Sequence, residues 1–450
     1  MRKQLLKNLC AAFLAGFMAL LLLPQSAQAQ EKEAYVVKSS DKKTLTFYYD
    51  DQKSSRTGTV WGIEETKKEY GSTYPAWSGT YSAPESEVTT AVFDASFKNY
   101  RPQSTENWFF NFKNLEKIEG LTNLNTSEVT TMNSMFRNCQ NLTSLNLSNF
   151  KTENVKDMSF MFLGCSRLTS LNLSNFKTEK VQNMNDMFYG CQSLTSLDLS
   201  NFKAENVKDM SRMFMGCQNL TSLNLSNFKT ENVKDMSGMF RDCQSLTSLD
   251  LSNFKTENVQ DMNSMFRNCQ SLTSLDLSNF KTENVKYMIE MFRNCQSLTS
   301  LDLSNFKTEN VKNMGSMFRD CSSLTSLDLS NFKTENMLDM SAMFRDCNSL
   351  QTIYCNNTWT CLYSWGMFEN CTNLQGAVSY DGSKIEVSMA NPETGYFTKK
   401  EITGVTTTTT EGDANIQAIY STDGKRLNEL QRGLNIIRMN NGTMQKILRK

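Results

Sequence analysis

Residues 269–294 read CQSLTSLDLSNFKTENVKYMIEMFRN, and residues 295–320 follow with CQSLTSLDLSNFKTENVKNMGSMFRD. The cysteine opening each unit marks the period. Cys139, Cys165, Cys191, Cys217, Cys243, Cys269, Cys295, Cys321 and Cys347 lie 26 residues apart. Eight full units run from Cys139 to Asp346, a diverged unit leads in from Leu115, and a degraded one runs from Cys347 to about Cys371. Near-verbatim self-similarity at a period between about 20 and 50 residues marks a solenoid, in which each unit buries its apolar face only against its neighbours. A chain of 450 residues is therefore read as one growing core with flanks, rather than as two or three separate domains.

Each unit divides into two unlike halves. Leu272, Leu275 and Leu277 give L-x-x-L-x-L, which predicts a short parallel strand with its leucines inward. At a spacing of ~4.8 Å per coil, ten coils extend on the order of 50 Å. Phe280 takes the place where the usual pattern has Asn or Cys, with Asn279 one residue earlier. The column Phe150, Phe176, Phe202, Phe228, Phe254, Phe280, Phe306 and Phe332 is read as a stacked aromatic spine. In the second half, Met262, Met265, Phe266 and Cys269 fall at i, i+3, i+4 and i+7, which predicts a short helix of about two turns. Lys255–Asn258 forms a polar turn between the halves, and Asp261 or Asn263 is the candidate cap.

The recurring motif L-T-S-L-D/N-L-S-N-F-x-T-x-N-V-x-x-M-x-x-M-F-x-x-C, from Leu142 to Cys347, resembles the BspA-type leucine-rich repeat surface proteins of anaerobic bacteria. Leu115–Leu121, followed by Thr126–Val129, looks like that family's first coil. The resemblance implies a leucine-rich-repeat-like solenoid, surface display, and binding to host or bacterial surface proteins or extracellular matrix. It carries over no particular ligand.

The flanks lack the repeat. Arg2, Lys3 and Lys7 precede an apolar run from Leu9 to Leu23, and Ala27–Gln28–Ala29 offers a cleavage site. Residues 1–29 are thus read as a signal peptide, with a single membrane anchor as the rival reading, and the mature chain contains no further stretch long enough to span a bilayer. Residues 30–113 are read as a β-rich cap, with strands at Thr44–Asp50 and Ala91–Phe93; Trp108, Phe109, Phe110 and Phe112 plug the first coil. The solenoid is assigned to 114–371, a closing cap to 372–404, and a linker with a small β tail to 405–450. Thr406–Thr410 forms the linker, and turns at Asp423–Gly424 and Asn440–Gly442 divide the tail into three strands. This tail resembles the C-terminal sorting domains of type IX secretion, which implies a secreted protein held at the cell surface or outer membrane.

Composition narrows the function. The 47 basic and 47 acidic residues cancel, so no net field favours nucleic acid. The chain contains no histidine, which removes Ser-His-Asp and Cys-His pairs and the commonest zinc ligand. No C-x-x-C and no phosphate-cradling glycine loop occurs. The array's acids, such as Asp198, Asp250 and Asp276 on strands and Glu153, Glu179 and Glu205 in turns, recur as ladders. An active site needs a singular constellation, so the chain is read as a non-enzyme without metal or cofactor. The repeating cysteines are read as small core hydrophobes; any disulfide is placed among Cys347, Cys355, Cys361 and Cys371.

Binding is assigned to the outward positions where the copies disagree. Early units carry Phe160, Leu163, Tyr189 and Met215, and later ones carry Arg241, Arg267, Arg293, Arg319 and Arg345. These predict an exposed apolar patch followed by a basic stripe partly offset by Asp242, Asp320 and Asp346. The second candidate is the polar strand face at Thr273, Ser274, Asp276, Ser278 and Asn279, suited to many weak contacts. The leading function is adhesion, with protein or glycan as ligand; the alternative is a structural surface-layer protein without a specific ligand.

Overall fold

The computed structural model describes residues 31–400, 416–421, 425–427, 429–439 and 444–449. The leader assigned to 1–29 and the linker at Thr406–Thr410 lie outside them. The chain forms a repeat fold in which each coil lies against its equivalents on either side. A continuous series of parallel bridges connects eleven positions, from Ser104 through Thr131, Asp157 and their successors to Tyr363. Successive steps are 26 residues, except for 27 at the start and 24 at the end.

The predicted helix does not form. Among the described residues there is no α-helix, and the M-x-x-M-F-x-x-C half is a ribbon of turns. Alternate residues bond in opposite senses. Met262, Ser264, Phe266 and Asn268 donate their N–H to Tyr287, Ile289, Met291 and Arg293 of the next coil at 2.7–3.1 Å. Met265, Arg267 and Cys269 donate back three residues, to Met262, Ser264 and Phe266. Two residues per coil must enter the left-handed region, here Ser264 at φ 55° and Asn268 at φ 60°. The competition has a clear winner: a helix of two turns leaves four N–H and four C=O groups without partners, whereas the ribbon engages every N–H from Met262 to Cys269 except that of Asn263, which bonds the Asp261 carboxylate at 2.8 Å. The i, i+3, i+4, i+7 apolar spacing survives because the ribbon also turns Met262, Met265, Phe266 and Cys269 inward, all fully buried.

The strand half is sparser than predicted. Parallel pairing is regular at Ser196–Asp198 with Ser222–Asn224, and at Ser326–Asp328 with Thr352–Tyr354. Elsewhere fewer cross-coil bonds form, such as Thr273 N–H to Thr247 O at 3.3 Å. The two phenylalanine columns reflect this difference. From Phe136 through Phe162 to Phe344, rings stack at 5.6–5.8 Å with interplanar angles of at most 9°. The Phe150 column, expected to be the spine, stacks more widely, at 6.2–6.4 Å from Phe150 to Phe254. The unbroken aromatic spine therefore belongs to the turn ribbon, where the coils are bonded most densely.

Both open ends are covered. The N-terminal strands are β1 (Glu33–Lys38), β2 (Thr44–Asp50), β3 (Thr59–Gly62), β4 (Thr66–Glu69), β5 (Ser72–Pro75), β6 (Thr90–Phe93) and β7 (Lys117–Glu119). Five form a sheet ordered β3-β1-β2-β6-β7, in which β2-β6 and β6-β7 are parallel. Because β7 belongs to the lead-in unit, this sheet joins the cap to the array edge to edge. Phe47, Phe93, Phe97 and Trp77 pack with Trp108 and Phe109 over the first coil. The aromatic segment expected to be a plug is itself a coil: Asn107, Phe109 and Asn111 donate to Asn133, Met135 and Arg137 at 2.8–3.1 Å, as every later ribbon does. At the other end Trp359 stacks on Phe332 at 6.1 Å, and Tyr396 and Phe397 close over Phe368. The tail is a four-stranded antiparallel sheet: the short strand Arg426–Leu427 joins the three expected, pairing with Ile419 and Tyr420.

Candidate binding surface

Two positions of each ribbon carry the residues that differ between copies. One precedes the second methionine and is the first left-handed position: Ser134, Phe160, Asp186, Arg212, Gly238, Ser264, Glu290, Ser316 and Ala342. The other follows Met-Phe and holds Arg137, Leu163, Tyr189, Met215 and then the arginines. The ladder sets each residue of one row beside its equivalent in the next coil.

The apolar part of the row is less exposed than expected. Leu163 is only 9% exposed and belongs to the core, which corrects its assignment to an open patch. Phe160, Tyr189 and Met215 are half-buried. Phe160 lies beneath the Arg137 guanidinium, 4.8 Å from its ring centroid, and the same guanidinium lies 5.4 Å from Phe110 and 5.2 Å from the exposed Tyr81. Arg137 is thus a member that the candidate set lacks. Its signal was present in the lead-in unit, where Met135-Phe136-Arg137-Asn138-Cys139 matches the later copies letter for letter in type.

The arginine row is half-buried and its charge is answered locally. Arg241 approaches Asp242 at 3.3 Å, Arg319 approaches Asp320 at 3.4 Å, and Arg345 approaches Asp346 at 3.4 Å and Glu369 at 3.0 Å. Arg267 and Arg293 converge on Glu290, and Arg293 also lies 3.8 Å from Asp320. Five arginines thus face five carboxylates, of residues 242, 290, 320, 346 and 369. The predicted basic stripe is a nearly neutral ladder, with Glu290 and Glu369 the acids that sequence reasoning missed. Burial pushes the Glu290 carboxyl up, but the Arg293 hydrogen bond and the two guanidinium charges outweigh it and hold it below the usual range. The Nε atoms of Arg241, Arg267, Arg319 and Arg345 are buried without a well-directed acceptor. The Nε contacts of Arg241, Arg319 and Arg345 with Asp242, Asp320 and Asp346 are therefore charge contacts more than hydrogen bonds, whereas Arg267 donates a hydrogen bond to Glu290 through Nη1.

The uniform polar residues have internal partners. Thr256 accepts the Lys281 N–H at 2.7 Å and donates its hydroxyl to Lys281 O at 2.8 Å. Asn279 donates Nδ2–H to Leu251 O and Phe254 O of the preceding coil, at 2.9 and 2.7 Å. Asp276 accepts the Ser278 N–H at 2.9 Å, a bond that holds its carboxyl below the usual range. Thr273, Ser274, Asp276 and Ser278 remain exposed, in columns along the array.

Cysteines, too, are structural. Each ribbon thiol donates to a phenylalanine carbonyl one coil back, as Cys165 does to Phe136 O at 3.1 Å and Cys269 to Phe240 O at 3.1 Å. All described cysteines are free, including Cys347, Cys355, Cys361 and Cys371, the four among which any disulfide was expected. Cys347 and Cys371 instead continue the thiol ladder, donating to Phe318 O and Phe344 O at 2.9 Å. Burial pushes the Cys165 and Cys217 thiols up from 9.0 to about 12, so they stay neutral donors well into the alkaline range.

The family model described as "Mycoplasma protein of unknown function, DUF285" matches residues 103–221, 191–298 and 271–381. No curated protein matches the chain. Among solved structures, a leucine-rich repeat protein from Eubacterium ventriosum is 16% identical, with 85% of this chain and 96% of that one covered and a TM-score of 0.37. A leucine-rich repeat protein of Leptospira interrogans is 17% identical over 64% of this chain and 68% of its own, with a TM-score of 0.25. A TLR13 chain, from its complex with ssRNA13, is 20% identical over 64% of this chain, with a TM-score of 0.26. This chain spans 39% of that TLR13 chain.

Proposed function

We infer, for a chain that belongs to the family described as Mycoplasma protein of unknown function, DUF285, that it is a leucine-rich-type solenoid serving as a binding scaffold. It is exported, displayed at the cell surface or outer membrane, and adheres to a protein or glycan on host tissue or other bacteria. One observation carries this reading. The repeat fixes nearly every inward and ladder-forming residue, while two rows of the ribbon change from copy to copy: one holds Phe160, Asp186, Arg212 and Glu290 among others, and the other holds Arg137, Tyr189 and Met215, then arginines. Half-buried aromatic, Met and Arg side chains are the types enriched where proteins meet. The charge-neutral arginine–carboxylate ladder favours a partner recognised by paired hydrogen bonds rather than by bulk charge. The BspA-type resemblance of the repeat and the sorting-like tail support display at the surface.

The test is binding of purified mature protein to immobilised extracellular-matrix components and to whole bacteria. Replacing Phe160, Tyr189 and Met215 together by Ser is expected to weaken capture at least tenfold while the circular dichroism spectrum stays that of the parent. Leu163 is left intact because its burial makes it part of the core. Undiminished capture by the triple variant sinks the assignment.

A further inference from the structure

Another edge of the array breaks the repeat in its last coils. The residue before the bridge position is Lys or Gln in every earlier coil, from Lys156 to Lys312, but Leu338 and Leu362 at the end. The bridge position is Asp or Asn from Asp157 onward, except for Tyr287 and Tyr363. Two residues further on, where earlier coils mostly have Ser, Asn or Gly, stands Trp365. The ladder brings these departures together: Leu338 N–H bonds Lys312 O at 2.8 Å, Leu362 N–H bonds Leu338 O at 3.1 Å, and Asp339 bridges Tyr363. Trp365 is 69% exposed, Leu362 68%, Tyr363 62%, Leu338 50% and Tyr287 40%. Exposure this high means that the side chains project from the edge instead of lying flat in a groove. The Arg345 guanidinium, 5.6 Å from the Trp365 ring, supports that ring from the array side.

Charge changes along the same edge. In most earlier coils the Lys is followed by an Asp, as in Lys156–Asp157, Lys208–Asp209 and Lys234–Asp235, so each positive charge has a negative one next to it in sequence. Lys286 is followed by Tyr287 and Lys312 by Asn313, so these two lysines lack the sequence-adjacent carboxylate of the earlier ones. Two acids lie within the patch: Asp339 accepts the Ser341 N–H at 2.8 Å and lies 3.3 Å from Asn313 Nδ2, and Glu386, beside Trp365, accepts the Ser364 hydroxyl at 2.8 Å and the Gly366 N–H at 3.1 Å. The edge therefore has a projecting apolar tip, with Asp339 and Glu386 held in hydrogen bonds beside it, and two lysines behind it that lack a sequence-adjacent acid.

We propose that this edge, Leu338, Leu362, Tyr363 and Trp365 with Lys286 and Lys312, docks on an anionic lipid bilayer. Projecting Leu, Tyr and Trp side chains enter the interfacial layer, where amphipathic rings partition favourably, and the lysines meet acidic headgroups. A convex tip of four side chains fits a deformable bilayer, whereas a stable protein interface needs roughly 1,000 Å² of complementary surface. The patch meets the row proposed above to bind a ligand only where Arg345 supports Trp365; its other residues stand in other columns of the ribbon.

Flotation of the full mature chain with vesicles tests it, using phosphatidylcholine alone and phosphatidylcholine mixed with phosphatidylglycerol. The parent is expected to float with the anionic vesicles, less so at high salt, with a blue shift of tryptophan emission. Leu362→Ser with Tyr363→Ser and Trp365→Ser should reduce partitioning tenfold or more; all three side chains are exposed, so the urea midpoint should not move. Lys286→Glu with Lys312→Glu should remove the preference for anionic vesicles while the apolar tip is intact. Failure of the parent to partition into either vesicle overturns the proposal, as does equal partitioning by the triple variant. So does indifference to vesicles accompanied by Trp365-dependent binding to a soluble protein, which would make the edge a protein interface.

Discussion

At the level of single residues, the cysteine is the most informative. Its thiol fills a methyl-sized space on the apolar face and donates one weak bond to a carbonyl of the neighbouring coil, 3.1 Å away for Cys269. Ala would fill part of the space and lose the bond, so Cys269→Ala is expected to cost about 1–2 kcal/mol at neutral pH. Burial sets the pH dependence. The folded thiols have raised pKa values, about 12 for Cys165, Cys217 and Cys295 against 9.0 for an unburied thiol. The stabilising preference for the neutral form is thus fully present below 9 and is lost as pH rises toward the folded values, because only the unfolded chain can release the proton in that window. Each buried thiol contributes at most about 1.4 kcal/mol per pH unit there. Urea midpoints measured from neutral pH to about pH 11 should fall for parent and Cys269→Ala alike, but less steeply for the variant, so that their difference narrows. A constant difference across that range would show that Cys269 is not held neutral by burial.

At the level of the element, the turn ribbon replaces the expected helix, and its signature lies at the residue before each ribbon cysteine. That position is Asn138, Gly164, Gly190, Gly216, Asp242, Asn268, Asn294, Asp320, Asp346 or Asn370, all at φ between 60° and 74°. Only Gly, Asn and Asp enter the left-handed region at low cost. Asn268→Val should therefore lose about 1–2 kcal/mol more than Asn268→Gly in urea denaturation; equal losses would mean that the conformation costs Val nothing. Gly164 is tighter still, since a Cβ there would sit 2.3 Å from Asn138 Oδ1. This restriction explains what was legible. The apolar spacing of Met262, Met265, Phe266 and Cys269 is common to a helix and to this ribbon, so periodicity alone identified the buried face but not its backbone. The unvarying Asn, Gly or Asp before Cys was the discriminating mark, because a helix interior disfavours all three. The strand half was legible as buried leucines, but its irregular pairing was not: pairing depends on coil spacing, which the column of rings at 5.6–5.8 Å sets from the opposite half.

At the level of the whole molecule, the 26-residue period was legible because every coil repeats the same contacts; what escaped was at the ends, where Trp108, Phe109 and Phe112 replace Met135, Phe136 and Cys139 and the pattern no longer looks like itself. The projecting edge at Leu362 and Trp365 was hidden for the same reason, since the last step shortens to 24 residues. Nearest-neighbour stacking makes a strong claim about length: stability should be close to a sum over coils and the interfaces between them. Deleting residues 244–269 removes one period and leaves Cys243 followed by Gln270, the same Cys-Gln junction as before. The shortened array should keep its circular dichroism spectrum and unfold cooperatively, with an m-value lower by roughly a tenth because about one coil in eleven no longer exposes surface. Deleting residues 244–256 instead removes the strand and Phe254 while keeping the ribbon. The coil so formed cannot place leucines against Leu225 and Leu277 on either side, both of them buried in the intact array. That variant should split the array into two weaker segments, seen as a broadened or biphasic urea transition. If the half-period deletion unfolded as sharply as the full-period one, stacking in register would not be what holds the molecule together.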